Sequence, residues 1–294
     1  MSSPEKKSDK PLTPRQAWQP LTPRGVAAFA SATLTRLILV QVGVGVIVAA
    51  SVIWFLSAAW FPVISEAVHH LPETGSIHAG VLSFDGSSPQ TLSENARLAI
   101  VVDLASTAEG GRVADLAVTL EKDRLKVCGP LGCRAFAYDN RYVIGMNRSE
   151  AEAGWGAWQW PVLAVAGLAT IFSLLVLWWS TAFLYLPLVK LIAFFGDRTV
   201  TARGAWKLSG AALLPGALVV ALSIILYGFG AVDLLRFALL FALHIVCGLV
   251  FAIASPCFLA PVTNPRSGKN PFDRAEADRR PKREPSPFSK RERK

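Results

Sequence analysis

The chain has 294 residues, 52% of them hydrophobic and only 17% charged, with a mean hydropathy of +0.39. Soluble domains carry about 25% charged residues, so these figures exclude an ordinary soluble globule and point to an integral membrane protein with soluble appendages. The net charge of +9 is unevenly spread: residues 264–294 hold eleven Lys/Arg against five Asp/Glu, while residues 65–152 hold twelve Asp/Glu against eight Lys/Arg.

Residues 1–36 open with a stretch rich in Pro, Ser and Lys that includes Pro4, Pro11, Pro14, Pro20 and Pro23. This stretch, 1–24, has too little apolar surface to order itself and is expected to be disordered. The 25–36 part is rich in Ala, Ser and Thr. It reads either as a short interfacial helix or as an early extension of the first span. Residues 37–65 are uncharged. A bilayer core is ~30 Å thick and takes ~20 apolar helical residues, so 37–64 predicts transmembrane helix 1, with Trp54, Trp60 and Phe61 toward its far end and Pro62 beyond them. Ser57-Ala58-Ala59 resembles a cleavage site, but signal-peptide apolar cores are only ~7–15 residues, and an uncleaved anchor is expected. Gly45 and Ala49, four apart, would allow close approach of a neighbouring helix.

Residues 65–152 alternate in the manner of strands and predict a β-rich domain of four to six strands. The strand candidates are 76–84, broken by turn residues at Asp85-Gly86, then 97–104, 116–120, 125–128 and 133–138, with a short helix near 92–97. A domain of this size has a thin core and needs a staple or a partner surface. Residues 153–189 contain no Asp, Glu, Lys, Arg or His and predict transmembrane helix 2. Trp155, Trp158 and Trp160 mark one interface of it; Trp178, Trp179 and Tyr185 lie in its other half. In 190–207, Lys190, Arg198, Arg203 and Lys207 face a single acid, Asp197, which reads as a cytoplasmic loop. Transmembrane helix 3 is expected over 208–232, with a kink or entry turn at Pro215. Transmembrane helix 4 is expected over 233–261, with Asp233 and Arg236 paired at its start. The basic, Pro-rich tail 262–294 is expected to be disordered.

The expected fold is therefore an α-helical transmembrane bundle of four spans with a small extracytoplasmic β-rich domain inserted between spans 1 and 2. Positive-inside counting places both termini in the cytoplasm and the chain in the cell inner (plasma) membrane as a multi-pass protein. The partners implied are the lipid bilayer, anionic lipid headgroups through the basic tail, and a protein partner or a second copy of the chain. No nucleic acid is expected, because the tail has only Phe272 and Phe288 where single-strand binding uses aromatic platforms.

Cys128 and Cys133 enclose Gly129-Pro130-Leu131-Gly132. Such a turn brings hairpin ends together, and an extracytoplasmic compartment is oxidising, so a structural disulfide is expected. The spacing is not that of a zinc site or a redox C-x-x-C. His69, His70 and His78 share a stretch with Glu66, Glu73 and Asp85. That group reads as a solvated juxtamembrane linker before it reads as a metal site. His244 falls in the fourth span and Gln41 in the first. An ionisable residue at that depth is a functional hypothesis by default, set against simple cross-helix hydrogen bonding, for His244 to a hydroxyl such as Ser173 or Ser209. Cys247 and Cys257 read as small apolar fillers. Asp103 and Asp115 read as surface or turn residues. No nucleophile–base set, paired carboxylates, phosphate loop or metal cluster stands out, so no catalytic residue, cofactor or enzymatic activity is expected.

Leu71-Pro72 after the first span, Ile77 with Gly80 and Leu82, Pro89, Val101-Val102-Asp103 and Asp123-Arg124-Leu125 form a layout that resembles a bacterial family of integral membrane proteins of unknown function. Some of its members are labelled maltodextrin-utilisation membrane proteins, and the family is related to Yip1-like membrane domains. The resemblance implies a span, a small β ectodomain and a cluster of further spans. It carries over no catalytic residues. The expected function is an accessory, scaffold or sensing role with a ligand- or partner-binding ectodomain. The alternative is a transporter or channel component whose path is lined by the transmembrane helices.

Overall fold

The computed structural model describes residues 19–106 and 114–262. Of the ends expected to be disordered, 1–18 and 263–294 lie outside the described residues, whereas 19–24 are described and lead through a turn capped by Thr22 into a helix, against that expectation. The first helix, α1 (Pro23–Ala28), starts where Thr22 Oγ1 accepts from Gly25 N at 3.0 Å with Pro23 in the first turn, both favourable at a helix start. Val26, Ala27, Ala28 and Phe29 are all buried in the bundle core. This segment is therefore an internal plug where an interfacial helix was one expectation. Arg24 is exposed on α1, while Gly25, Val26, Ala27 and Ala28 are all enclosed.

After α1 the chain makes one rod of 36 residues, Leu34–His69, built from α2 (Leu34–Phe55), a π turn (Leu56–Trp60) and α3 (Phe61–His69). The π turn lies immediately before Pro62. Proline has no N–H, and its ring crowds the carbonyl four residues earlier, so the chain widens there. The helix continues beyond the expected end of span 1 and rises as a stalk.

The stalk leads into β1 (Gly75–His78), β2 (Val81–Phe84), β3 (Gln90–Glu94), β4 (Leu98–Val102), β5 (Leu116–Leu120), β6 (Arg124–Gly129), β7 (Gly132–Ala137) and β8 (Ile144–Gly145). They form a three-stranded sheet in the order β2-β1-β8 and a five-stranded sheet in the order β3-β4-β5-β6-β7. The domain thus has more strands than expected, and no helix forms near 92–97. There Asn95 Oδ1 accepts from Arg97 N at 2.8 Å and Leu98 N at 2.9 Å, an Asx turn that competes with helix formation. The core joins Ile77, Leu82, Phe84, Leu92 and Val102 to Ala67 and Leu71 of the stalk. The thin β core is completed by a helix that belongs to the first rod.

Tyr138 packs against this core. Its hydroxyl is buried and has no hydrogen-bond partner among the described residues. Burial, then the charges of Glu121 and Asp123, push its pKa up to about 12, whereas an unfolded tyrosine ionises near ~10. The folded state prefers the neutral phenol, so this contribution to stability is fully present below about pH 10 and is lost as pH rises toward 12. A Tyr138→Phe variant is expected to be about 1 kcal/mol more stable at neutral pH, since no unpaired hydroxyl remains buried. It should also lose stability less steeply above about pH 10, as read from thermal unfolding across pH.

The chain returns through α4 (Arg148–Phe195), 48 residues long, or about 72 Å at 1.5 Å per residue. Asn147 caps it by accepting from Glu150 N at 2.9 Å. α4 lies along α2, with Gly45 against Ile171 and Gly167 against Ile53. Beside the stalk, Trp155 Nε1 donates to Ser65 Oγ at 2.9 Å, and its ring meets Phe61 edge-on at 4.8 Å. Because α4 runs to Phe195, the connection to α5 (Ala202–Ala212) spans only 196–201, shorter than the expected 190–207 loop. Lys207 lies inside α5. It is buried, and its ammonium donates to the Ala32 carbonyl. α6 (Leu214–Gly228) follows after a break at Leu213, next to Pro215. α7 (Leu234–Ala254) starts at Asp233, which caps Arg236 N at 2.7 Å and approaches Arg236 Nε at 3.5 Å, and ends in a 3₁₀ turn over Ser255–Phe258.

Four helices, Leu34–His69, Arg148–Phe195, Ala202–Gly228 and Leu234–Phe258, are long and apolar enough to cross a membrane. The third is the most enclosed, and the second and fourth are the most open. The open faces carry exposed apolar side chains such as Leu168, Phe172 and Phe183 on α4 and Leu235, Leu239 and Val250 on α7.

Candidate functional site

The functional candidate lies where the five-stranded sheet meets the end of the helix bundle. β4 and β5 run parallel with Leu98 opposite Leu116, so both strands begin at the same end. That register sets Arg97 and Asp115, the residues just before each strand, side by side: Asp115 N donates to Ala96 O and Leu116 N to Arg97 O, both at 3.1 Å.

Both side chains converge on Tyr227 in the last turn of α6. Arg97 Nη2 donates to the Tyr227 carbonyl at 2.6 Å, and its guanidinium carbon sits 5.0 Å from the Tyr227 ring centre. A cation is favoured at a helix C-terminus, where carbonyls lack intrahelical partners, and over an aromatic face. Tyr227 Oη donates to Asp115 Oδ2 at 2.5 Å. The ring lies between Phe55 at 5.4 Å and Phe237 at 5.1 Å. Gly230, at φ +79°, turns the chain after α6, and a Cβ there would come within 3.2 Å of Arg97 Nη2. A side chain at 230 would thus be both strained and in the path of the guanidinium.

Asn95 fixes the other side of the junction. Its Nδ2 donates to the Ala59 carbonyl at 2.6 Å, within the π turn, while its Oδ1 holds the Asx turn. The wide turn before Pro62 presents a carbonyl that the β domain uses. Further ties run from Ser93 Oγ to Glu66 Oε2 at 2.7 Å, from His70 Nδ1 to Leu92 O at 2.7 Å, and between His69 Nδ1 and Glu152 Oε1 at 2.7 Å. Between the sheet and the helices lies a cavity of about 380 Å³. Val52, Phe55, Trp60, Ile224 and Phe237 wall it from the bundle side; Arg97, Asp115, Leu116 and Pro130 close it from the β domain.

The residues singled out from the sequence are placed as follows. Cys128 and Cys133 are paired as a disulfide across β6 and β7, with Cα atoms 4.0 Å apart, and Pro130 in the loop they close reaches the cavity. Gln41 is fully buried where α2 meets α4 and α5. Its Oε1 accepts from Trp179 Nε1 at 3.1 Å, and its Nε2 has no partner among the described residues. His244 is buried on α7 against α6 and donates from Nδ1 to the Phe241 carbonyl of its own helix. Ser209 Oγ in turn donates to Ala205 O at 2.9 Å. Gln41 and His244 thus sit in different helix contacts. His70 ties the stalk to the β domain, and His69 ties it to the start of α4. Among the described residues no group of three His, Cys, Asp or Glu is placed to hold a metal ion.

Sequence reasoning missed Arg97, Asp115 and Tyr227. Their partnership joins positions 112 and 130 apart, and the only local signals are a charge at the start of each strand and a tyrosine ahead of Gly228-Phe229-Gly230. No protein-family model matches the chain, and no curated protein and no solved structure is found to be similar to it, so what the junction does is read from its own geometry.

Proposed function

We propose that the chain is a non-enzymatic, four-span membrane protein of accessory or sensing type. In this reading both termini are cytoplasmic and the β domain stands outside and meets a partner or ligand. The junction passes the state of that domain to the third span. The observation that carries this is the Arg97–Tyr227–Asp115 clamp: one residue of the most enclosed long helix is held at its backbone carbonyl, its ring face and its hydroxyl by the β domain. Movement of the sheet relative to the bundle cannot leave the end of α6 undisturbed. The charge split between the basic ends and the acidic β domain supports the orientation.

The alternative of a transporter or channel component needs one wet path joining Gln41 and His244. Each has its own partners in a separate helix contact, so the accessory reading is preferred. Orientation is tested with a membrane-impermeant maleimide on intact cells, using a Cys247→Ser, Cys257→Ser chain. Labelling of Cys128 and Cys133 should occur only after reduction. Labelling without reductant would remove the disulfide, and no labelling of reduced intact cells with full labelling of lysed cells would place the β domain inside.

A further inference from the structure

The two ends of the five-stranded sheet differ in charge. Leu120 pairs with Leu125 and Arg124 with Ala137, so the β5–β6 turn and the chain after β7 lie at the end away from Tyr227. That end carries Glu121, Lys122, Asp123 and Arg124 in one turn, with Asp139 and Arg141 close by. Ala117 pairs with Cys128 and Gly129 with Gly132, so the β6–β7 turn comes back to the end where Arg97 and Asp115 meet Tyr227. This turn is Gly129-Pro130-Leu131-Gly132 and holds no charged or polar side chain.

The turn stands at the end of the helix bundle. Pro130 lines the junction cavity together with Phe55, Ile224 and Phe237. At the same level the rings of Trp54, near the end of α2, and Phe229, just past α6, are 4.7 Å apart. Aromatic rings at the ends of apolar helices mark headgroup depth in a bilayer. Leu131, next to Pro130, is wholly exposed. The Cys128–Cys133 disulfide closes the hairpin directly behind it, and Gly132 turns the chain at φ +114°. A single exposed leucine elsewhere on a surface is ordinary. Here it sits on a stapled, uncharged turn beside the ends of helices long and apolar enough to cross a membrane.

We propose that the β6–β7 turn dips into the outer leaflet beside the spans, with Leu131 at the boundary between headgroups and acyl chains. The bilayer is the partner this surface fits, because the turn adjoins the helices that lipid surrounds and enters without desolvating a charge. The β domain is then held at two points, by its clamp on Tyr227 and by the hairpin tip in lipid. The inference rests on the membrane-spanning reading given above and adds a lipid contact to the same junction.

The test is photocrosslinking of the full chain in palmitoyl-oleoyl phosphatidylcholine nanodiscs, with p-benzoylphenylalanine in place of Leu131, Lys122 or Phe172 and adducts read by mass spectrometry. Phe172, exposed on α4, reports on the spans. Lys122 reports on the far end of the sheet; β6, with six residues, separates it from the tip by ~20 Å at ~3.3 Å per residue. Positions 131 and 172 should give phospholipid adducts, and position 122 about tenfold fewer or less, as expected for a probe held in water. Lipid adducts at 172 without any at 131, equal yields at 131 and 122, or a link from 131 to a second copy of the chain would each overturn the proposal and leave the spans standing. No lipid adduct at 172 would overturn the membrane-spanning reading and the proposal with it. A second measurement keeps natural side chains: amide exchange over 125–137 in nanodiscs should rise about threefold or more in Leu131→Asp, because a hairpin freed from lipid opens more readily. Leu131 is wholly exposed, so the change spares the fold; equal exchange in the two chains would overturn the proposal.

Discussion

A Gly216→Val chain is expected not to be recovered folded from the membrane. A Cβ at 216 would stand 2.4 Å from the His244 carbonyl oxygen and 3.1 Å from its carbonyl carbon. The obstacle is backbone, which cannot rotate aside, so α6 and α7 would have to separate along their whole contact. Helix association in lipid depends on close packing at small residues, with no hydrophobic drive to compensate. Overpacking in a core costs about 1–3 kcal/mol, and a rigid obstacle belongs at or above the top of that range. Gly248 provides the contrast. Its Cβ would meet Leu213 Cδ2 at 2.7 Å, the end of a flexible side chain, so Gly248→Ala should be tolerated better than Gly216→Ala. Unfolding of both in mild detergent, followed by tryptophan fluorescence, orders them; equal effects would mean that the α6–α7 approach is looser than described.

The second large effect is expected at Arg97. Arg97→Ala removes a charged hydrogen bond, worth about 1.5–3 kcal/mol, and a cation–π contact, worth about 0.5–2 kcal/mol. It also leaves the Tyr227 carbonyl to backbone N–H groups of its own turn, among them Gly230 N at 3.0 Å. Tyr227→Phe should cost less, about 1–3 kcal/mol, because the ring and its contacts with Phe55 and Phe237 persist and only the partner of Asp115 is lost. The two changes share one clamp, so their effects should fall short of additivity in a double-mutant cycle. Additive effects would separate Arg97 from Tyr227 energetically and break the clamp into unrelated contacts.

The helices were legible because apolar runs in 37–65 and 153–189 are long enough to admit few other readings, and the described residues include four helices of the required length and character. The β hairpins were legible from alternation and turn residues: 116–120 was expected as a strand and is β5. What was not legible is everything that depends on a neighbour distant in sequence. Lys207 counts as a loop charge until Ala32 is known to lie above it. Val26 to Phe29 look interfacial until the bundle closes around them. Asp115 looks like a turn residue because nothing local announces the hydroxyl of Tyr227. The 92–97 stretch has helix-compatible composition, but the Asn95 side chain competes for the backbone N–H groups that a helix would use.

The central claim is that the β domain and the end of the third long helix move as one unit. Amide hydrogen exchange of the full chain in mild detergent tests it most directly, comparing residues 223–230 between wild type and Arg97→Ala, with 202–212 as an internal reference. Exchange in 223–230 should rise by roughly tenfold or more, as expected for loss of about 1.4 kcal/mol or more of local stability, while 202–212 stays unchanged. Identical exchange across 223–230 in the two proteins would contradict the account, because the β domain would then rest on the bundle without holding it.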